Sequence, residues 1–474
     1  MFDDLRGFIR VLEERGMLRR VQAKVKVELE IAEIVRRVFK AGGPALLFEQ
    51  VEGFDIPVLT NLFGTEERVL LALRAEKVED VTSRMSDLLK VARKPSLKAI
   101  FQALRAVKAT RPKLVGNAPC KEVVLRGEKV KLSKLPALKC WPKEAGRFIT
   151  LPLVFTKDPE EGTRNVGIYR MQIFDDTTTG MHWQIHKHGA LHLWKKKKPL
   201  EVAVALGGDP ALILAASMPL PQGIDEVMVA GLLKGSPIKL VKCETVDLEV
   251  PAGAEIVLEG YVDPTETRLE GPFGDHTGYY SPPQPCHVFR VNCMTMREEP
   301  IYPAWVEGKP PNEGAVLQRV FQRLTLPLLR TVLPEVVDIN FPPEACFHGL
   351  CIVSMRKRYP GHAKRIMMGL WGLESFSLVK VIVVVDEDVN VHDLGEVLWA
   401  IATRVDPARD MLVLKETPLD ALDHSAPRIG LGSKVGIDAT KKLKEEVERE
   451  LPEELKMDEE ISRKVDTLWH SLNL

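Results

Sequence analysis

With 474 residues, 45% of them hydrophobic and 28% charged, the chain is too long for a single core and has the composition of a folded globular protein of two or three domains. Its 66 basic and 66 acidic residues cancel, so no excess of charge draws it to nucleic acid, a membrane surface or a polyanion. The seven cysteines, at 120, 140, 243, 286, 293, 346 and 351, are odd in number, scattered and without a CxxC pair, which argues against both a disulfide framework and a thiolate zinc site.

The opening MFDDLRGFIRVLEERG sets Leu5, Phe8, Ile9 and Leu12 at helical spacing and lacks the basic-then-apolar layout of a signal peptide. The longest apolar runs, 210–216 and 379–385, are far short of a membrane span, so no stable membrane insertion and a cytoplasmic location are expected. Glu30–Lys40 reads as a helix, and ALLFEQVEG and IPVLTNLFG as strands ended by glycine. Residues 1–117 are therefore expected to form an N-terminal α/β domain, with KATRPKLVGNAPCKEV as the linker out of it.

Between 118 and 312 the pattern changes to short β-type runs separated by turn residues: CKEVVL, RFITLPLVFT, VGIYRMQIF, LEVAVALGG, PIKLVKC, AEIVLEGYV and CHVFRVNCMTM. So many runs with little helix between them predict a barrel or sandwich, and barrels hold ligands at their mouths. From 313 to 474 helix and strand alternate again: 314–331 and 363–373 as helices, VVDINFP, HGLCIVSMRKR and VKVIVVVDEDV as strands. The mixed-charge tail from Lys441 reads as a surface or intersubunit helix. GLGSKVG at 430–436 lacks the GxxxxGK[ST] order of a phosphate loop.

The unusual chemistry falls in the middle region. NVGIYR, 165–170, places an asparagine, a tyrosine and an arginine on a β-run, with Gly167 permitting close approach of a ligand to the backbone; a lone strand arginine is otherwise solvent-facing. MHWQIHKHGALH gathers His182, His186, His188 and His192 out of 11 histidines in the chain. A zinc hydrolase is one reading of this cluster, but the HExxH glutamate is missing, and Trp183 with Gln184 suits contact with a planar polar ring; structural histidines are the third reading. In PLPQGIDE, Asp225 and Glu226 either cap the following helix or, for Glu226, join Asn165 and a histidine around a hard divalent cation that completes its shell with phosphate oxygens. Last, EGPFGDHTGYYSPP, 270–283, has neither helical nor strand period. Gly271, Pro272 and Gly274 allow the chain to fold back so that Glu270 and Asp275 share one site as an acid/base pair, the alternative being a solvated surface turn.

In this order, NVGIYRMQ, TGMHWQIHKHG, EVMVAGLLKG, DLEVPAGAEIVLEGYV, EGPFGDHTGYYSPP and EGKPPNE, followed by PEVVDINFPPEAC, GHAKRIMMGLW, TRVDPARD and GSKVGIDAT, closely resemble the UbiD family of decarboxylases from about residue 110 onward. The resemblance implies a mixed α/β multidomain protein whose central domain, 118–312, is a split β-barrel like that of flavin reductases, flanked by the domain 1–117 and by a C-terminal α/β domain, 313–474, used in oligomerisation. It implies prenylated FMN as cofactor, held with a divalent metal (usually Mn2+) and often K+, a flavin prenyltransferase as its supplier, and a homodimer or hexamer. The metal set would be Asn165, Glu226 and a histidine, for which His182 is the best match. Cofactor contacts would come from Asn165, Ile168, Tyr169, Arg170, His182, Trp183, Gln184, Lys187, His188 and Glu226. Arg170, Glu270 and Asp275 match the catalytic Glu-Arg-Glu set, with aspartate in the last position. The implied reaction is reversible decarboxylation of an aromatic or α,β-unsaturated acid, best matched by a polyprenylated 4-hydroxybenzoate of quinone biosynthesis. Asp275 would donate the proton, its pKa raised by desolvation.

Overall fold

The computed structural model describes residues 2–93, 96–184, 187–450, 452–455, 457–469 and 471–472. Leu5, Phe8, Ile9 and Leu12 form the buried side of the helix Leu5–Glu14, which the Asp4 carboxylate caps by accepting from the Gly7 N–H at 2.8 Å. The strands Leu18–Val21, Ala45–Phe48 and Val58–Thr60 make a sheet whose fourth member, Tyr302–Pro303, runs parallel to Val58–Thr60. The chain thus returns to its first sheet just before Trp305 and Glu307 reach the candidate site. Two helices that the sequence pattern does not announce, Val78–Arg93 and Leu97–Thr110, complete this region. The expected linker is in part structured: Lys113–Leu114 pairs with the strand Lys239–Lys242.

The middle of the chain forms an antiparallel seven-stranded sheet. Its path runs Thr178–Met181, Gln284–Met296, Ala254–Glu270, Leu200–Gly207, Pro152–Lys157, Arg164–Ile168, with Val123–Arg126 also on Gln284–Met296. Among the described residues the first and last strands of this path do not pair, so the hydrogen bonding is that of an open sheet. Both faces are buried. Along Leu200–Gly207, Val202, Val204 and Leu206 point into one core, while Ala203 and Ala205 point into another that contains the apolar helix Pro210–Ser217. Small residues on that face let the helix lie close to the sheet. The run PIKLVKC is not part of this sheet; it makes a small one with Glu249–Pro251 and Lys113–Leu114.

The C-terminal region holds five strands in the order Val336–Asn340, Leu350–Met355, Val381–Asp386, Leu431–Asp438, Met411–Pro418, the middle three parallel and the edges antiparallel. Cys351, Val353, Ile382 and Val384 pack against the helix His362–Trp371, and Ile352, Val383 and Val385 against Leu394–Arg404, so alternate residues of the same strands are covered by helices on opposite faces. The GLGSKVG run lies mostly in the strand Leu431–Asp438. Of the tail, Glu459–Trp469 is helical with no buried residue. Among the described residues no helix is long and apolar enough to cross a membrane.

One buried ion pair fixes the part of the middle region that feeds the site. Asp209 caps Pro210–Ser217, accepting from the Ala211 N–H at 3.0 Å, and its other oxygen accepts from Lys234 Nζ at the end of the helix Glu226–Lys234; both side chains are almost fully buried. Lys234→Ala leaves the Asp209 carboxylate buried without its cation and is expected to cost about 3–5 kcal/mol, read as a lowered thermal unfolding midpoint. A double replacement, Lys234→Met with Asp209→Asn, should recover most of that loss.

Candidate active site

The strand Arg164–Ile168 is an end strand of the sheet path, and it presents Asn165 inward: the residue is buried, with Oδ1 3.2 Å from His188 Nδ1. Gly167 has a packing role beside the one expected. A Cβ there would stand 2.4 Å from Tyr169 Oη, so the glycine makes room for the ring of Tyr169, which folds back over the strand, and it also lines the candidate cavity. Asp225 and Glu226 divide the two roles considered for them. Asp225 caps the helix Glu226–Lys234, accepting from the Val227 N–H at 2.8 Å, and pairs with Arg164. Glu226 turns inward and accepts from the Val166 N–H at 2.8 Å; burial pushes its pKa up to about 7. Asn165, Ile168, Tyr169, Lys187, His188 and Glu226 all line one cavity of about 470 Å3, which is also lined by Phe347, Glu374, Ser375 and Leu378 of the C-terminal region.

His182, Trp183 and Gln184 sit elsewhere. They line a second cavity of about 390 Å3, which shares Leu378 with the first. His182 follows the strand Thr178–Met181, and its Nδ1 lies 3.0 Å from Glu270 Oε2. Trp183 stacks edge-on to Tyr169 at 6.3 Å between ring centroids and packs on Gly189. The histidine that lines the same cavity as Asn165 and Glu226 is therefore His188, at the start of the helix His188–Lys196, whereas His182, expected beside them, lines the second cavity. His186 lies outside the described residues. His192, one turn beyond His188, is buried with its Nδ1 2.9 Å from Thr156 Oγ1, the environment of a structural histidine.

Residues 270–283 are more ordered than their composition predicts. Glu270 is the last residue of the long strand Ala254–Glu270, and Phe273–Gly274 then pairs with Tyr280–Ser281 as a short hairpin carrying Asp275 at the start of its turn. Gly274 is required by contact: a Cβ would stand 2.1 Å from Trp141 Cδ1. Its N–H donates to Glu144 Oε1 at 3.1 Å, which ties the hairpin to the segment before the sheet. The two carboxylates meet on one guanidinium. Arg170 Nε and Nη2 donate to Glu270 at 2.9 and 3.2 Å, and Nη1 donates to Asp275 Oδ2 at 2.7 Å, with all three side chains at most 9% exposed. The Arg170 guanidinium also lies 4.6 Å from the Phe273 ring centroid.

Three family models match the chain in succession: the N-terminal domain of 3-octaprenyl-4-hydroxybenzoate carboxy-lyase over residues 9–88, its Rift-related domain over 113–310 and its C-terminal domain over 315–439. The chain belongs to the UbiD family of carboxy-lyases. A protein of Archaeoglobus fulgidus is 53% identical over 99% of this chain and 98% of its own length. The UbiD-class enzyme HmfF from Pelotomaculum thermopropionicum, solved with FMN, is 33% identical over 96% of this chain and 97% of its own, with a TM-score of 0.78; an evolved dimeric form of it, solved with prenylated FMN, gives 0.77 over 95% and 97%. Vanillic acid decarboxylase of Sedimentibacter hydroxybenzoicus, 29% identical in its closed form over 100% of both chains, superposes with a TM-score of 0.89, against 0.77 for an open form.

In this UbiD-family chain the electrostatics of the Arg170 cluster reverse one expectation. Burial raises the pKa of Asp275, as anticipated, but His276 and Arg170 outweigh it and bring the carboxyl down to about 2. Glu270 is likewise raised by burial and, more strongly, lowered by His182 and Arg170, to a net position below the ordinary range. Both acids are ionised at neutral pH. His276 and Glu307, which line the larger cavity, and His348 beyond them are the groups that residue patterns alone overlook. The DH pair at 275–276 and the acid of EGKPPNE are visible signals for the first two; His348 has none, because it arrives from a different region.

Arg170→Gln removes the shared cation of two buried carboxylates. The expected result is a loss of about 3–5 kcal/mol at pH 7 that shrinks as the pH is lowered and the stranded acids take up protons, measured by denaturant unfolding across pH.

Proposed function

We propose that this protein is a decarboxylase of aromatic or α,β-unsaturated carboxylic acids working with prenylated FMN and a divalent cation. The observation that carries the reading is the buried Arg170 held between Glu270 and Asp275, next to a cavity of about 470 Å3 that is within the range of cofactor sites. The donor set fits a phosphorylated cofactor with its metal. Asn165 supplies an amide oxygen, His188 an imidazole, and Glu226 a buried carboxylate whose raised pKa is that of an acid lacking a countercharge, a combination suited to Mn2+ or Mg2+. In this reading the central sheet is the split-barrel cofactor domain of a three-domain chain, 1–117, 118–312 and 313–474, and K+ joins the same phosphate site. A flavin prenyltransferase supplies the cofactor, the enzyme works in the cytoplasm, and copies associate as a dimer or hexamer.

Prenylated FMN, when bound, supplies the sink for the electron pair left by departing carbon dioxide. The rest falls to the chain. Arg170 orients the substrate carboxylate, Glu270 fixes the plane of Arg170 with two hydrogen bonds, and Asp275 passes a proton to the carbon. Relatives at 33% and 29% identity are a UbiD-class enzyme solved with a flavin and a decarboxylase of vanillic acid, which supports a ring acid as substrate. A hydroxybenzoate-type acid, with or without a polyprenyl chain, is the first to try.

The test is co-expression with a flavin prenyltransferase, followed by the absorbance spectrum and a screen of ring acids for carbon dioxide release. A flavin spectrum with decarboxylation of a hydroxybenzoate supports the reading; no flavin, or a flavin without carbon dioxide from any acid, overturns it. Asp275→Asn is expected to keep the flavin spectrum while lowering both turnover and exchange of the product ring proton with deuterium by at least about 100-fold; full exchange would sink the role given to Asp275. Mn2+ at about 100 times its Kd should stabilise the cofactor-free protein by about 2.7 kcal/mol, seen as a raised unfolding midpoint, and Glu226→Gln should abolish most of that gain.

A further inference from the structure

If Asp275 delivers a proton, it does not start with one. Its Oδ2 accepts from Arg170, and its Oδ1 accepts both from the backbone N–H of His276 at 2.9 Å and from His276 Nδ1 at 2.8 Å. Of the groups that donate to Asp275, a guanidinium, a backbone N–H and an imidazole, only the His276 ring can release its proton near neutral pH, so the transferable proton sits there. The far side of that ring is also occupied. His276 Nε2 meets His348 Nε2 at hydrogen-bonding contact, with the two rings edge to face at 4.5 Å between centroids. Two imidazole nitrogens in contact need one proton between them, so one ring donates and the other accepts.

The surroundings decide which. Asp275, ionised, faces His276 directly, with Asp420 acting in the same direction and Arg170 behind Asp275, while Glu307 nearby is itself pushed up to about 7 by burial; the carboxylates, Asp275 first, outweigh burial and raise the pKa of His276. His348 is lowered to about 4, by burial first and then by His276, with Lys187 adding to the same effect against Asp420 and Asp275. His276 is the donor on both sides, and His348 is the neutral acceptor. The acceptor is delivered by the C-terminal region: His348 follows Cys346 and Phe347, both in the left-handed backbone region at φ 57° and 48°, and the Phe347 ring packs on His276 at 5.3 Å. A conformation unfavourable for two non-glycine residues is thus held where it aims His348 at the hairpin.

We propose that His276 is a positioning residue that stores the proton which Asp275 delivers, and that His348 orients it by accepting from Nε2. The step balances simply. The His276 Nδ1–H bond breaks as Asp275 Oδ1–H forms; the carboxyl then gives a proton to the carbon that carbon dioxide has left, the new C–H bond drawing on the electron pair released in that step. His276 ends as a neutral ring protonated at Nε2 and regains its second proton from water. The store is complete only while the C-terminal region is docked on the hairpin, since His348 and Phe347 both belong to it. The proposal rests on the decarboxylase reading for the destination of the proton, but not for its location.

Two measurements separate those parts. In the intact cofactor-free protein, 15N NMR of the histidine rings should show His276 doubly protonated with a midpoint above the ordinary value of about 6.5, moving down in Asp275→Asn. A midpoint at or below the ordinary value in the wild type overturns the proposal whatever the enzyme does. In the loaded enzyme, kcat should fall as the pH rises through the same midpoint. His276→Asn should remove that limb and lower kcat about 100-fold below it with KM unchanged, and His348→Asn should lower kcat about tenfold and displace the limb, again at constant KM. A His276→Asn enzyme with the wild-type pH limb overturns the proposal. If the NMR result stands but no acid is decarboxylated, the decarboxylase reading fails and the proton store on His276 remains.

Discussion

A guanidinium buried beside two carboxylates is the constraint around which the middle of this protein is arranged. Taking Arg170, Glu270 and Asp275 out of water is costly, and the arrangement survives because each charge is hydrogen-bonded: three of the arginine's donors are used on the two acids, and the acids take further bonds from His182 and His276. Those requirements extend outward. Glu270 must end a long strand at a fixed height, Asp275 must start a hairpin turn, and the hairpin must lie against Trp141 and Glu144, where Gly274 leaves no space for a side chain. The result is a rigid cluster with one net negative charge, flanked by two histidines that differ in what they face.

The two cavities follow from where the sheet ends. The strand Arg164–Ile168 closes one side of the sheet path and carries Asn165; Thr178–Met181 closes the other and leads into His182. Arg170 lies between them in sequence and is linked to both cavities, through His182 on Glu270 and through His276 on Asp275. The larger cavity is completed by the C-terminal region, and the chain superposes better on the closed than on an open form of the vanillic acid decarboxylase. The side chains of the cluster are themselves almost fully buried, which strengthens every charge interaction inside it.

The Glu226 corner of the larger cavity shows the same economy at a helix start. The Asp225 side chain caps the helix N-terminus at the Val227 N–H, which frees the next residue, Glu226, to point into the cavity. A carboxylate so buried, accepting from a single backbone N–H of the facing strand, is raised toward neutrality by its own desolvation, and a cation would reverse that.

Much of this was legible in the residues themselves. Helical spacing at Leu5, Phe8, Ile9 and Leu12, the alternation along the β-runs and the DH, NVGIYR and EGPFGDH stretches are local patterns, and local patterns carry the element types and the chemically unusual residues. Three things were not legible, for one physical reason: they depend on which distant segments touch. Gly167 looked like a gap for a ligand, and that the ring of Tyr169 also occupies the space beside it could not be read locally. His182 and His188 stand in one histidine run, yet the sheet sends the first to Glu270 and the second to Asn165. Asp275 looked like an acid raised by burial, but burial is only one contribution to a pKa; Arg170, 105 residues away, and the ring of His276 decide its sign. The sequence by itself determined the set of groups, and the tertiary structure alone decided which of them holds the proton, because charge interactions fall with distance in space and are blind to distance along the chain.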